Sequence, residues 1–239
     1  MAELKGEAKV RFVAGMFARI SRRYDLVNTV MTGGMHHRWR HLATRLATDG
    51  LVGPALDVAT GTGDFIFALA RQPGVQSVVG VDLVPEMLAL ARQKAQRLDL
   101  VRQVVFLQAD ALSLPFPNHA FACAASGFGL RNVADVLTAL AEMARVVRPG
   151  GRVAVLEIIP FEPNGPFLRL LRLYLHRVVP IVGTILTGDR QAYTYFPQSV
   201  DTFPQAGELA HLMEEAGLQR VGYRKVAWGS AAILVGEKP

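Results

Sequence analysis

The chain has 239 residues, 51% of them hydrophobic, enough for one large α/β domain with a real core and too apolar for a disordered chain. Its 26 lysines and arginines outnumber 20 acidic residues for a net charge of +6, which suits nucleic acid or an anionic membrane surface without choosing between them. The single cysteine, Cys123, excludes an internal disulfide and a cysteine-rich metal site and fits a cytoplasmic chain. No apolar run reaches the ~18–20 residues that spanning a bilayer requires, and the opening MAELKGEAKVRF is too charged for a secretory signal.

Residues 1–48 stand outside any strand–helix alternation and are expected to form a helical lid. From there PALDVAT (54–60), SVVGVDL (77–83), VVFLQAD (104–110), FACAASG (121–127) and RVAVLEII (152–159) read as buried strands. Between them DFIFALARQ, PEMLALARQKAQRL and VADVLTALAEMARVV carry apolar residues at the spacing of amphipathic helices. Near-continuous apolar strands alternating with helices predict a parallel sheet covered on both faces. Residues 160–205 leave the rhythm again and read as an inserted cover segment. VGYRKVAWG (221–229) and SAAILVGEK (230–238) are joined by too short a link for a crossover helix, so they must pair antiparallel. The expectation is one α/β domain over 1–239: a Rossmann-like seven-stranded sheet, mostly parallel, closed by a C-terminal antiparallel hairpin, with helices on both faces.

LDVATGTGD (56–64) is the first strand–turn–helix junction. Ligands of doubly wound sheets bind at the carboxyl ends of strands, so Asp57, Gly61 and Gly63 are candidate cofactor contacts. The glycines allow backbone approach that a Cβ would block. At the end of the second strand Asp82 can accept both hydroxyls of a ribose. A dinucleotide fingerprint needs a third glycine, but here Ala59, Gly61 and Gly63 give A-x-G-x-G and Asp64 opens the helix where a pyrophosphate would rest. S-adenosylmethionine has no phosphate and carries a cationic sulfonium, which acidic residues suit. A tight turn without a ligand is the plain alternative.

Asp110-Ala111 followed by LSLPFPNHAF resembles the adenine-binding segment of methyltransferases, and RPGGRVAVLE (148–157) resembles their turn into the fifth strand. Residues 50–159 and 207–238 look like a class I S-adenosylmethionine-dependent methyltransferase. FARISRRYDLVNTVMTGGMHHRWR (17–40), DVATGTGDF, SLPFP, GFGLRNV and GDRQAYTYFPQSVDTFP (188–204) occur in this order in the quinol C-methyltransferases of menaquinone and ubiquinone biosynthesis, the UbiE/MenG family. The resemblance covers essentially the whole chain from about residue 8. It implies S-adenosylmethionine as cofactor, with contacts at Thr62, Asp82, Asp110 and Ala111. It also implies a polyprenyl quinol as substrate. Gly127 stands where the ubiquinone branch has serine, which resembles the menaquinone branch and points to demethylmenaquinol, with the benzoquinol as the alternative. It leaves one cofactor contact, at Gly127, open.

Methylating a ring carbon needs a nucleophile, and a quinol becomes one when a hydroxyl ionises. A phenol with a pKa of ~10 must be brought to its phenolate at a cost of roughly 4 kcal/mol at neutral pH. Arg131 is a fixed cation that can lower this cost, and a water held by Arg131 and Asn132 could carry the proton away. Tyr24, Asp25 and Asn28 lie in the lid, with Asp25 the candidate base; Tyr24 and Asp25 are alternatively no more than lid packing and a cap. Asn132 is alternatively the N-cap of the next helix, with Asp135 three residues on. Tyr193 and Tyr195 either line the ring pocket or pack in the core. His36 and His37 lack a third ligand at suitable spacing, so no metal is expected. FLRLLRLYLHRVVPIVGTILTG (167–188) sets apolar residues beside Arg169, Arg172 and Arg177, as an interfacial segment at the inner face of a membrane, a tunnel lining or a dimer surface would. A nucleic-acid methyltransferase would be expected to carry an N-P-P-Y-like or Pro-Cys motif after the fourth strand, where this chain has SGFGLRNV. A non-catalytic cofactor-binding scaffold is the remaining alternative.

Overall fold

In this computed structural model residues 4, 6–160 and 165–239 are described; residues 1–3 and 5 of the expected lid and 161–164 of the expected insert lie outside them. Two helices come first, α1 (Gly6–Thr32) and α2 (Met35–Thr48), hinged at Gly33 and Gly34, whose φ values of 56° and 75° suit glycine. The alternation then runs β1 (Gly53–Val58), α3 (Asp64–Ala70), β2 (Val75–Asp82), α4 (Pro85–Arg97), β3 (Val104–Gln108), β4 (Phe121–Gly127), α5 (Val136–Val146) and β5 (Val147–Ile158). A helical excursion follows: α6 (Pro166–Leu173), a π-helical turn at Tyr174–Val178, α7 (Val179–Thr187) and α8 (Arg190–Asp201). The chain ends with α9 (Ala206–Glu215), β6 (Gln219–Val226) and β7 (Ala231–Glu237).

All seven strands share one sheet in the order β3-β2-β1-β4-β5-β7-β6. β1 to β5 are parallel, and β7 runs antiparallel to both β5 and β6. The hairpin between β6 and β7 closes within Ala227, Trp228 and Gly229, all at positive φ. Phe121 to Ser126 of β4 are buried without a break, as a central strand covered on both faces requires. Leu140 and Met143 of α5 pack with Leu209 and Met213 of α9 on one face, and Phe65, Ile66 and Leu69 of α3 on the other.

The expected lid divides in two. Ala43 and Ala47 of α2 are fully buried in the same cluster as Cys123, Ala125 and Ala154, so α2 belongs to the sheet's own cover. Only α1 stands over the strand ends, where Val13, Met16, Ile20 and Val27 pack with Ala192, Tyr193 and Tyr195 of α8. The first strands diverge between β1 and β4, with β2 and β3 on one side and β5 on the other. Such a switch point is where open α/β sheets hold their ligands.

Candidate active site

Two adjoining cavities open at the carboxyl ends of the strands. The first is lined by the turn Ala59–Thr62, by Asp82 to Val84, by Ala109 to Ala111 and by Gly127 to Gly129, with Val10, Val13, Ala14 and Phe17 of α1 as its roof. The turn is built for close approach: Ala59, Gly61 and Gly63 have φ of 58°, 55° and 94°, and a Cβ on Gly61 would meet nothing within 4 Å. The space on that side of Gly61 is open to the cavity. Gly63 is required by packing, since a Cβ there would lie 2.8 Å from the Phe67 ring.

Asp82 stands at the end of β2, its Oδ2 accepting from Gly61 N at 2.7 Å and its Oδ1 from Val84 N at 2.9 Å. Burial pushes its pKa up despite these bonds. Each oxygen keeps a lone pair for a hydroxyl donor. Asp110 is braced by Leu112 N at 2.9 Å, and with Ala111 it lines the same cavity. Gly127 also lines it, but a Cβ there would lie 2.4 Å from the Phe65 ring, so packing by itself demands glycine. These residues fit an adenosyl group with a cationic tail: an open backbone turn, two carboxylates and an apolar roof. Asp57 does not join them. It is fully buried beneath the turn, where its Oδ2 accepts the Thr60 hydroxyl at 2.5 Å, and burial drives its pKa to about 7.

The second cavity lies under α1 and α8, lined by Met16, Tyr24, Asn28, His36, Arg131, Ile158, Tyr193, Tyr195 and Phe196 among others. Phe17, Tyr24, Arg40, Phe128 and Asn132 line both cavities and form their common wall. Phe128 is held at φ 63° by a 2.7 Å bond from its N to Leu156 O, and its ring lies under the Arg40 guanidinium at 5.2 Å. Arg131 sits in a one-turn helix after β4 with its side chain only 6% exposed, and Nε lies 3.1 Å from Oε1 of the fully buried Glu157. Neither Nε nor Nη1 makes a hydrogen bond among the described residues, and the guanidinium lies 5.4 Å from the Phe196 ring centre. Burial raises the Glu157 pKa, while Arg131 and backbone donors oppose that shift.

Asn132 is not the expected helix cap. Asp135 caps α5, accepting from Thr138 N at 2.7 Å, which leaves the Asn132 side chain in the cleft, where Oδ1 accepts from the Tyr195 hydroxyl at 3.3 Å. Tyr24 hydrogen-bonds Asn28 and stacks edge-on against Phe17 at 5.8 Å. Tyr193 and Tyr195 both line the second cavity and are both buried, so the two readings of them are compatible.

Asp25 requires a correction. It lies outside the walls of both cavities, with Oδ1 accepting from the Thr62 hydroxyl at 2.5 Å and Oδ2 against Lys94 Nζ at 2.5 Å. A carboxylate engaged on both oxygens outside both cavity walls acts as a clasp between α1 and the cofactor turn, and this placement does not support the role of base. Lys9 makes a second clasp, donating to Val133 O at 2.6 Å. The histidines need another correction, because folding brings Asp64 to them: one candidate ligand atom each from His36, His37 and Asp64 lie within 4.8 Å of one another. Lys94 Nζ at 2.9 Å and Arg40 Nη1 at 3.7 Å already face the Asp64 carboxylate, however. That positive field, with burial the larger cause, holds the His36 pKa down to about 4 and opposes a divalent cation in the same way.

The chain matches the ubiE/COQ5 methyltransferase family over residues 2–238. It belongs to that family. A demethylmenaquinone methyltransferase of Thermus thermophilus is 46% identical over 225 residues, covering 94% of this chain and 100% of the relative. A ubiquinone/menaquinone biosynthesis C-methyltransferase UbiE of Dinoroseobacter shibae is 36% identical, over 98% of this chain and 94% of its own. Among solved structures, an S-adenosylmethionine-dependent methyltransferase of Thermotoga maritima, described as a possible histamine N-methyltransferase, superposes with a TM-score of 0.63 at 20% identity. It covers 94% of this chain and 99% of its own and shares the fold. This family member is thus an S-adenosylmethionine-dependent methyltransferase, as its motifs imply.

Arg40, Phe128, Lys94 and Glu157 were not singled out from the sequence. Glu157 had a visible signal, an acid inside the apolar run RVAVLEII. Arg40 and Lys94 had none, since each meets the site from a helix whose pattern is ordinary.

Two outcomes follow. Asp25→Asn removes a clasp that is more than a third exposed, so cofactor affinity should fall severalfold, by less than about tenfold, with kcat on saturating cofactor nearly unchanged. A loss of kcat of about a thousandfold would restore the base. Asp57 binds more protons folded than unfolded between its unfolded pKa near 4 and its folded value of about 7, so it lowers stability as pH rises through that window. Asp57→Asn should remove that decline in denaturant melts at pH 4 to 8.

Proposed function

We propose that the protein transfers a methyl group from S-adenosylmethionine to a ring carbon of a reduced polyprenyl quinol, demethylmenaquinol in preference to the ubiquinone-branch benzoquinol. The observation that carries this reading is the common wall: a cofactor-shaped cavity and a second, mainly apolar one meet at Phe17, Tyr24, Arg40, Phe128 and Asn132. The printed names of the relatives support the ring class, and the Dinoroseobacter relative is named for both branches.

The chemistry supplied by the bound cofactor is an electrophilic methyl group on cationic sulfur. On this reading Thr62, Asp82, Asp110 and Ala111 hold the cofactor, and Arg131 supports the phenolate. A unit cation ~4 Å from a phenolate contributes about 4 kcal/mol at an effective dielectric constant of 20, close to the ~4 kcal/mol that ionisation costs. Glu157 takes back part of this attraction, and the unpartnered Nη1 restores part through a direct hydrogen bond. Asn132 and Tyr195, already linked at 3.3 Å, orient the ring from its edge. The α1 roof keeps water from the reacting groups. No step needs a metal.

The isoprenoid tail suggests a use for α6 and α7. Residues Pro166–Thr187 form a continuous helix of 22 residues, long and apolar enough by composition to cross a membrane and only 11% buried, which departs from the expectation drawn from apolar runs. It is also fastened to the body, through Tyr174 donating to Met31 O at 2.9 Å and through Gly183 packed on the Tyr193 ring. A helix fastened along one side and bearing Leu170, Ile181 and Ile185 at 62%, 60% and 76% exposure on the other fits docking at the inner membrane face better than spanning. Trp228 from the hairpin extends that face, its ring 5.5 Å from Phe167.

The decisive assay is purified protein with methyl-labelled S-adenosylmethionine and both reduced ring types. Label is expected on the naphthoquinol; label on RNA or DNA and on neither quinol overturns the reading. Arg131→Gln with Glu157→Gln, which removes both buried charges together, should cut turnover at least about a hundredfold while cofactor binding stays within a few-fold. Unchanged turnover would remove Arg131 from the chemistry, whereas wild type that binds the cofactor without any turnover would support the scaffold alternative. For the membrane face, Leu170→Asp with Ile185→Asp should abolish flotation with anionic vesicles and leave activity on a short-tailed quinol intact. Concentration-dependent dimerisation without vesicle binding would overturn the docking proposal.

A further inference from the structure

His36 is almost fully buried, lines the second cavity and has no part in the mechanism above. Its Nδ1 lies 2.6 Å from Thr32 Oγ1, a hydroxyl that also lies 2.7 Å from Asn28 O. We assign the one hydroxyl proton to Asn28 O, which makes Thr32 Oγ1 an acceptor from the ring, places the imidazole proton on Nδ1 and leaves Nε2 a bare acceptor. That Nε2 is buried and has no hydrogen-bond partner among the described residues. A buried acceptor without a donor is costly, and a ligand donor relieves the cost. Arg40 Nη1, which contributes to the field at His36, also has no hydrogen-bond partner among the described residues and faces Asp64, at 3.7 Å.

A para-quinol offers two hydroxyls to this cavity. One must ionise, which calls for a cation, and the cavity has Arg131. The other keeps its proton and calls for a neutral acceptor. On the quinol reading above, we propose that His36 Nε2 accepts a hydrogen bond from the hydroxyl that stays protonated, and so makes the pocket select the reduced ring over the oxidised one. A quinone carbonyl at the same place would set lone pair against lone pair and leave both buried acceptors unpaired. His36 is thus a specificity-determining and positioning residue, not a base. Burial first, then Arg40 and His37, keep the imidazole neutral down to about pH 4, so it receives a hydrogen bond without removing the proton.

The test compares a short-prenyl demethyl-naphthoquinol as substrate with its oxidised form as competitive inhibitor, using the full chain. Wild type should hold the quinol at least about tenfold more tightly than the quinone, the order expected when one buried acceptor gains or loses its donor. In His36→Leu the quinol KM should rise about tenfold, with cofactor affinity unchanged, and the quinone-to-quinol ratio should fall by the same factor. His36→Gln should keep the quinol KM within a few-fold, because its amide oxygen can replace Nε2. It should also bind quinone more tightly than wild type, because the amide can turn its NH2 to a carbonyl. Thr32→Val keeps the imidazole but frees its tautomer, and it should lose discrimination in the same direction even if His36→Leu fails to fold. Discrimination unchanged in Thr32→Val and His36→Gln, or absent from wild type, would falsify the proposal while methylation of the quinol still stands. Wild type that methylates no reduced quinol defeats the functional reading itself, a result distinct from either.

Discussion

The buried pair of Arg131 and Glu157 is the interaction on which the site's arrangement depends. Two charges removed from water incur a desolvation penalty of several kcal/mol each, which their mutual attraction offsets only with good geometry. Here the geometry is incomplete: Nε approaches Oε1 to 3.1 Å without a hydrogen bond, the Arg131 backbone N donates to the carboxylate at 3.3 Å, and Nη1 has no hydrogen-bond partner among the described residues. Such an arrangement weakens the fold and is useful only where something else completes it. It requires a rigid frame, and the frame is the sheet, since Glu157 is in β5 and Arg131 follows β4, its direct neighbour.

The lid completes that frame. Without α1 both cavities would lie open at the strand ends, and Arg131 would be solvated. Its apolar face packs on α8 while polar clasps tie it at both ends, Lys9 to Val133 and Asp25 to Thr62 and Lys94. Hydrophobic burial holds the helix in place, and the clasps set where along the strand ends it sits. The cofactor turn is thereby tied to the lid, because Thr62 bonds Asp25 and also receives Lys94 at 3.1 Å.

Much of this was legible from residue patterns. The strand–helix alternation, the antiparallel hairpin and the glycine turn followed from periodicity and turn chemistry, and the family from motifs such as YDLVN and FGLRNV. The readings that changed share a physical cause. Asp25 reads as a base only while its neighbours are unknown, and Lys94, sixty-nine positions away, is invisible to any local pattern. His36 and His37 lack a third ligand in the sequence because Asp64 arrives by folding. Residues 1–48 read as one unit because both helices are amphipathic, and only the location of their apolar partners separates a lid from a sheet cover.

The sequence by itself determined the elements, their order and the chemical inventory at the strand ends, because these rest on short-range rules: hydrophobic period, glycine at positive φ, a carboxylate closing a strand. Tertiary structure alone decided which side chains face one another across the two cavities. Tyr24, Arg40 and Phe128 come from separate parts of the chain and become one wall only when α2 and the end of β4 meet under α1. The pairing of Asp25 with Lys94 is a further instance, a contact between α1 and α4 that no short-range rule contains.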